Sequence, residues 1–169
     1  MFIDSTGVVN FTNIPTSSDY KLYIREKPVR KKYHGKFHAE DRLKFDPLIK
    51  KASQKFGVDF SLLKAVIQVE SDFNPLAVSS KGAKGLMQIM PQNFKKFYVS
   101  DPFNPSQNIM GGALHLKELM QHYNGKLSLA LAAYDAGTSI VDRYRAIPPF
   151  RETENYVKKV MKLYSIYKE

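Results

Sequence analysis

Glu70 is the residue whose type and spacing most clearly suggest chemistry. It follows Leu63, Val66 and Ile67 at intervals of three to four residues, which places its carboxyl group on the apolar face of a predicted helix. The last turn of that helix and its apolar surroundings both disfavour ionisation, so we expect a raised pKa, as a general acid working near neutral pH requires. Helix position alone is equally compatible with a structural role, in which Glu70 caps backbone amides or pairs with a lysine.

The other reactive residue types do not form a second site of this kind. Without cysteine the chain has no disulfide, no thiolate zinc site and no cysteine nucleophile. The four histidines lack a metal-binding pattern: two lie in a predicted linker, and His115 and His122 lie on a helix without a surrounding carboxylate pattern. Asp72 would project from a different helix face than Glu70. The sequence therefore predicts one working carboxyl group and no cofactor.

The chain divides into three predicted parts. Residues 1–24 indicate a small β element, because short apolar runs flank turn-prone residues. Residues 25–44 are rich in lysine and arginine without sustained periodicity, and we interpret them as a basic linker, a solvated tether being favoured over a binding motif. Residues 45–169 have helical periodicity and form the third part.

Capping residues and apolar spacing predict the helices of residues 45–169. A first helix is capped at Phe45-Asp46-Pro47 and closed by Gly57, and a second begins near Asp59 or Ser61. Residues 72–104 are predicted to be irregular, with a short helix at 91–98. The later helices are predicted from Asn104-Pro105 to Asn124-Gly125, over 129–136 with Ser128 as cap, from Thr138 to Arg145, and from about Thr153 with Val157, Val160, Met161 and Tyr164 on one face.

Several separated motifs follow Glu70 in a fixed order. They are Glu70-Ser71, Phe73-Asn74-Pro75, SSKGAKGLMQIMP at 79–91, AAYDAG at 132–137 and IPPFRETENYV at 147–157. Together they resemble the soluble lytic transglycosylase domain of the goose-type-lysozyme-like superfamily, over about residues 45–167. The N-terminal FIDSTGVVNFTNIP resembles a short β module that often precedes such domains in envelope proteins. The resemblance implies a mainly α fold, a lysozyme-like helical domain with a small N-terminal β element.

The resemblance also implies roles for individual residues. Glu70 matches the catalytic acid and base, and Gly85 serves a backbone turn. Substrate-binding roles are implied for Ser71 as the hydroxyl neighbour in the groove, Gln88 and Met90 as sugar contacts, Tyr134 as the tyrosine whose hydroxyl reaches the catalytic carboxylate, Asp135, and Tyr156 as a groove-lining tyrosine.

Asp135 is a departure from the family pattern, which most often has AYNAG at this motif. An ionised aspartate only accepts hydrogen bonds, whereas asparagine also donates them. If Asp135 faces the groove, it raises the pKa of Glu70 further or offers a second carboxylate. If it points outward, it matters little.

The implied activity is a peptidoglycan lytic transglycosylase without a cofactor. A site with one carboxylate fits substrate assistance, in which the N-acetyl group of N-acetylmuramic acid stabilises the cationic centre. Cleavage of the β-1,4 bond to N-acetylglucosamine then leaves a 1,6-anhydro end without consuming water. Two alternatives stay open, namely a hydrolytic lysozyme on the same fold and a non-catalytic peptidoglycan-binding module.

The net charge of +10 and the isoelectric point near 9.6 favour an anionic partner. Residues 1–45 hold 9 basic and 5 acidic residues, and residues 46–169 hold 17 and 11, so the excess is spread along the chain. We expect it to attract the anionic cell wall, since no basic-aromatic motif indicates nucleic-acid binding. We expect a monomer in the periplasm or cell envelope. No apolar run approaches the ~20 residues that span a bilayer, and Met1-Phe2-Ile3-Asp4 does not resemble the start of a signal peptide.

Overall fold

The computed structural model describes residues 42–169, together with two short strands near the N-terminus. The chain separates into two units, residues 1–34 and 35–169. In the first unit, strands β1 (Phe2–Ile3) and β2 (Val9–Asn10) pair antiparallel, with Phe2 opposite Asn10. The rest of the predicted β element at 1–24 and most of the linker at 25–44 lie outside the described residues, so both assignments stay predictions.

The described part of the second unit is mainly helical, as predicted. Its helices are α1 (Asp46–Phe56), α2 (Phe60–Ser71), α3 (Pro105–His122), α4 (Leu127–Ala136), α5 (Thr138–Tyr144) and α6 (Arg151–Lys168), with a 3₁₀ turn at Pro91–Asn93. α2 packs against α1 and α6, while α4 packs against α3, α5 and α6. None of the helices among the described residues is long and apolar enough to cross a membrane.

The core is centred on α2. Residues 62 to 67 of this helix are all buried, and Leu63, Val66 and Ile67 are completely inaccessible to solvent. Asp59 caps its N-terminus by accepting hydrogen bonds from the backbone N–H groups of Ser61 and Leu62. This rigid, buried helix carries Glu70 in its last turn.

Most predicted helix boundaries agree with the structure to within two residues. Asn104 caps α3 as predicted, by accepting a hydrogen bond from the N–H of Gln107. Ser128 is not a cap, because α4 begins one residue before it. The helix predicted at 91–98 shrinks to the 3₁₀ turn, and Met161 is 40% exposed rather than on the buried face of α6.

The loop between α2 and α3 is held by Asn108, a fully buried residue of α3. Its carbonyl oxygen accepts a 2.7 Å hydrogen bond from the N–H of Met87, and its amide nitrogen donates to the carbonyl oxygens of Lys84 and Pro102. Gly85 lies against this amide with a φ of +79°, so a side chain there would collide with Asn108. Its predicted role in a backbone turn is confirmed.

Gly112 brings the middle of α3 close to the same loop. A Cβ atom at this position would overlap the Cβ and Sδ atoms of Met87, whose side chain is fully buried. The absence of a side chain at residue 112 therefore sets the distance between α3 and the loop.

Replacing Asn108 by alanine should destabilise the protein strongly. Asn108→Ala removes three hydrogen bonds and leaves the buried N–H of Met87 without its acceptor, so we expect a loss of about 2–4 kcal/mol in the free energy of unfolding. Urea denaturation measures it. Gln121→Ala, an exposed change on the same helix, serves as control and should stay within about 0.5 kcal/mol. Equal stabilities for the two variants would contradict the role of Asn108.

Candidate active site

The site is built around Glu70, in the last turn of α2. The helix ends at Asp72 in the left-handed conformation (φ 46°), and the following Phe73 also has a positive φ (62°) with its ring completely buried. This double reversal turns the chain sharply away from the helix axis directly after Glu70. The carboxyl group is therefore fixed at the point where the core helix ends and the loop begins.

The hydroxyl of Tyr156 donates a 2.7 Å hydrogen bond to Oε1 of Glu70. Tyr156 is a buried residue of α6. Burial raises the pKa of its phenol well above the usual value, so the phenol keeps its proton and remains a donor. The expectation that Tyr134 makes this contact is wrong. The packing of α6 against α2 brings the hydroxyl of Tyr156 to the carboxyl group instead.

Burial raises the pKa of Glu70 from its ordinary 4.5 to about 8. The hydrogen bond from Tyr156 acts in the opposite direction, since it stabilises the carboxylate, and the negative charge of Asp135 acts in the same direction as burial; the pKa of about 8 includes all three effects. At neutral pH the carboxyl group is therefore mostly protonated. Oε1 accepts from Tyr156, and within residues 42–169 no hydrogen bond to Oε2 is formed.

Tyr134 lies on α4 and forms the adjoining wall of the site. Its hydroxyl donates a 2.8 Å hydrogen bond to the carbonyl oxygen of Met87. Burial raises the pKa of this phenol well above its usual value, and the negative charge of Glu70 raises it further. Tyr134 is thus close enough to Glu70 for the charge of Glu70 to act on its phenol, while the Tyr134 hydroxyl fixes the loop to α4.

Asp135 is held by Thr153, a residue that the sequence interpretation missed. The Thr153 hydroxyl, buried in α6 three residues before Tyr156, donates a 2.7 Å hydrogen bond to Oδ2 of Asp135. Loss of hydration raises the pKa of Asp135, against the lowering effect of this hydrogen bond. Thr153 lies three residues before Tyr156 and therefore on the same face of α6, and this spacing is the only feature of the sequence that could have identified it.

The structure places Ser71 and Gln88 as supports of the loop. The Ser71 hydroxyl lies 2.8 Å from the carbonyl oxygen of Leu86, and Nε2 of Gln88 donates to the carbonyl oxygens of Ala77 and Gly85. Gln88 itself has a positive φ of 49°. These bonds join the end of α2 to the loop beside Glu70, and the sugar contacts implied by the resemblance stay predictions.

A cavity of about 570 Å³ opens next to this cluster. Its wall includes three of the predicted substrate-binding residues, Met90, Tyr134 and Asp135. Of the described residues, neither Glu70 nor Tyr156 lines it, so Tyr134 and Asp135 connect the cavity to the carboxyl group. Within residues 42–169, no three His, Asp or Glu side chains are grouped as a metal site would require.

The comparisons with known proteins agree with this geometry. The family model described as "Transglycosylase SLT domain" matches residues 47–157. The chain is 36% identical over 117 residues to membrane-bound lytic murein transglycosylase F of Hahella chejuensis, covering 65% of this chain and 23% of that protein. It is 40% identical over 111 residues to a transglycosylase of Enterobacteria phage PRD1, covering 66% of this chain and 39% of that protein.

Solved structures show the same fold. The 70 kDa soluble lytic transglycosylase from Escherichia coli superposes with a TM-score of 0.68 and 30% identity, covering 75% of this chain and 24% of that one. An inactive mutant of lytic transglycosylase Slt from Pseudomonas aeruginosa gives a TM-score of 0.66 and 29% identity, covering 74% and 24%. The chain spans less than half the length of each of these relatives.

The raised pKa of Glu70 should make stability depend on pH. Between pH 4.5 and about 8 the folded protein holds a proton that the unfolded chain has released, so stability falls as the pH rises through this window. The slope is at most about 1.4 kcal/mol per pH unit. Urea denaturation at pH 5 and pH 8 should show a decrease for the wild type and a smaller one for Glu70→Gln. The same decrease in both proteins would refute the raised pKa.

Two substitutions should shift the pKa of Glu70 in opposite directions. Asp135→Asn removes a nearby negative charge and should lower it, whereas Tyr156→Phe removes the hydrogen bond to the carboxylate and should raise it. Carbon-13 NMR titration of the Glu70 carboxyl group measures both. Asp142→Asn, at an exposed carboxylate on α5, is the control and should leave the titration unchanged. Shifts of the same sign in the first two variants would contradict the electrostatic assignment.

Proposed function

The chain belongs to the transglycosylase SLT domain family, and from this we propose that it is a lytic transglycosylase that cleaves the glycan strands of peptidoglycan. The observation that carries the proposal is the 2.7 Å hydrogen bond from Tyr156 to the half-buried carboxyl group of Glu70 in the last turn of α2, where the pKa of Glu70 is raised to about 8. The names of the relatives, lytic murein transglycosylases among them, support the substrate. Because these relatives are much longer than this chain, the activity is proposed and not transferred directly from them.

In the first step Glu70 acts as the general acid. The substrate bond is the β-1,4 linkage between N-acetylmuramic acid and N-acetylglucosamine. Oε2 delivers its proton to the leaving glycosidic oxygen as the bond from that oxygen to the anomeric carbon breaks. The positive charge that develops at the anomeric carbon is stabilised by the N-acetyl group of the same sugar. A carboxyl pKa of about 8 supports this step, because the acid form dominates at neutral pH.

In the second step Glu70 acts as the base. Its carboxylate takes the proton from the 6-hydroxyl of the muramic acid sugar while that oxygen bonds to the anomeric carbon, which closes the 1,6-anhydro ring. The proton balance returns Glu70 to its acid form, and no water is consumed. The Tyr156 hydroxyl stabilises the carboxylate between the two steps, since it donates to Oε1 throughout.

Hydrolysis is the second candidate, because Asp135 provides another carboxyl group beside the first. Asp135 lies in the cavity wall and its charge acts on Glu70. A carboxylate in that position can take a proton from water, which would then attack the anomeric carbon in place of the 6-hydroxyl. The product would carry a reducing end instead of an anhydro end.

We also propose that the protein acts in the cell envelope, where its substrate lies. The excess of 26 lysine and arginine over 16 acidic residues supports attraction to an anionic wall. The description of several relatives as membrane-bound supports an envelope location. We propose a monomer, since every residue assigned a step above lies in this one chain.

Mass spectrometry of digested sacculi tests the proposal. The wild type should release anhydro fragments that are one water lighter than reducing-end fragments, and Glu70→Gln should slow their release by about 10²–10⁴-fold. Glu154→Gln is the control, because it removes an exposed carboxylate of α6 and should leave the rate within about twofold. Predominant reducing ends would identify a hydrolase. Binding to sacculi without turnover by the wild type would identify a wall-binding module.

A further inference from the structure

The cavity wall contains a column of three aromatic rings, formed by Phe97, His115 and Tyr134. The ring centroids of Phe97 and His115 lie 4.6 Å apart with an interplanar angle of 27°, and those of His115 and Tyr134 lie 4.9 Å apart at 32°. All three residues line the cavity. His115 is the central member, so its two faces are covered and only its edge is available.

Both neighbours of His115 are themselves fixed in place. Phe97 is 3% exposed and packs with Ile89 and Val99 in a second apolar cluster. The hydroxyl of Tyr134 donates to the carbonyl oxygen of Met87. The column therefore holds the imidazole in one orientation before any ligand arrives.

The edge of His115 carries two nitrogen atoms that have no hydrogen-bond partner within residues 42–169. Among the hydrogen bonds formed within residues 42–169, none involves either ring nitrogen, whereas His122, which lines the same cavity, bonds to Asp142 through Nε2. The His115 nitrogens are also not among the buried polar atoms that lack a partner in this part of the chain. They are thus accessible to water or to a ligand in the cavity.

We propose that the edge of His115 hydrogen-bonds the neutral hydroxyl or acetamido groups of a bound glycan strand, and so positions the substrate in the cavity. The inference rests on the proposed function, because it names a residue that would hold the same glycan. His115 binds the substrate, and Glu70 carries out the proton transfer.

The electrostatics of the cavity favour a neutral ligand group at this position. The pKa of His115 is lowered to about 4, mainly by burial and also by the nearby charge of Lys96, with Glu118 acting in the opposite direction. At neutral pH the ring therefore presents one donor and one acceptor, which match a hydroxyl or an amide. Lys96 is itself paired with Glu118 at 2.6 Å, so the two charges act on His115 in opposite directions.

Two substitutions distinguish hydrogen bonding by the ring nitrogens from stacking of the ring faces. His115→Phe keeps an aromatic ring in the column and removes both nitrogens, whereas His115→Gln removes the ring and supplies an amide near the position of Nε2. Both are made in the Glu70→Gln background, which keeps the substrate intact. The probe is a purified, peptide-free glycan strand, and the dissociation constant is measured by calorimetry, with thermal unfolding as a check that each variant is folded.

We expect His115→Phe to weaken binding about three- to tenfold, as the loss of a ligand hydrogen bond predicts, and His115→Gln to stay within about twofold of the parent. In the catalytically active background, His115→Phe should raise KM on sacculi and leave kcat nearly unchanged, which a purely structural role would not do.

Three results would overturn the inference. Unchanged affinity in His115→Phe would show that the edge is not used, and a loss confined to His115→Gln would assign the effect to ring stacking. Binding that requires peptide-bearing strands would assign the cavity to the stem peptide. The proposed function fails separately, if the wild type releases no fragments from sacculi, and its failure is therefore distinguishable from that of the His115 proposal.

Discussion

The hydrogen bond from Tyr156 to Glu70 joins residues 86 positions apart and connects the two helices that the site depends on. A carboxyl group removed from water is costly to ionise, so it stays protonated or needs donors that compensate for the lost hydration. The fold provides one donor in a fixed place, and the acid form is favoured as a result. The Tyr156 hydroxyl reaches Glu70 because α6 packs directly against α2, and these two helices share the most extensive contact among the helices of residues 42–169.

Three helices fix the loop that follows Glu70. Ser71 at the end of α2, Asn108 in α3 and Tyr134 in α4 each bond to the backbone of residues 84–87. The loop is therefore held from three directions, although it contains little regular structure. Polar side chains that looked like substrate contacts in the sequence also act as these supports, and Ser71 is the clearest case.

Local features of the sequence were sufficient to predict the helices and the position of Glu70. Apolar spacing gave the buried face of α2, and Asp59, Asn104 and Gly57 marked helix ends as their backbone chemistry requires. The family motifs supplied the residues that we expected to form the site. The partner of Glu70 was assigned to the wrong tyrosine, because choosing between Tyr134 and Tyr156 requires the rotation of α6 about its own axis.

The rotation of α6 about its axis is set by tertiary packing. Periodicity placed Met161 on the buried face of this helix, but its side chain is 40% exposed. Asn108 was missed for a related reason. An amide in a helix between ordinary residues is usually solvated, and nothing local indicates that a loop 21 residues earlier folds over it.

The close approach of α3 to the loop at Gly112 has a consequence for how the domain folds. Two adjacent glycines, Gly111 and Gly112, weaken the middle of α3 by about 1 kcal/mol each relative to alanine, so this helix has little stability of its own. Its order depends on the buried side chain of Met87, which fills the space that a Cβ atom would occupy. We therefore expect helix and loop to open together as one cooperative unit in the native state. Replacing helix glycines by alanine is a common route to thermostability, but it is not open at residue 112. The gain in helix propensity would come with displacement of the loop beside the Glu70 carboxyl group.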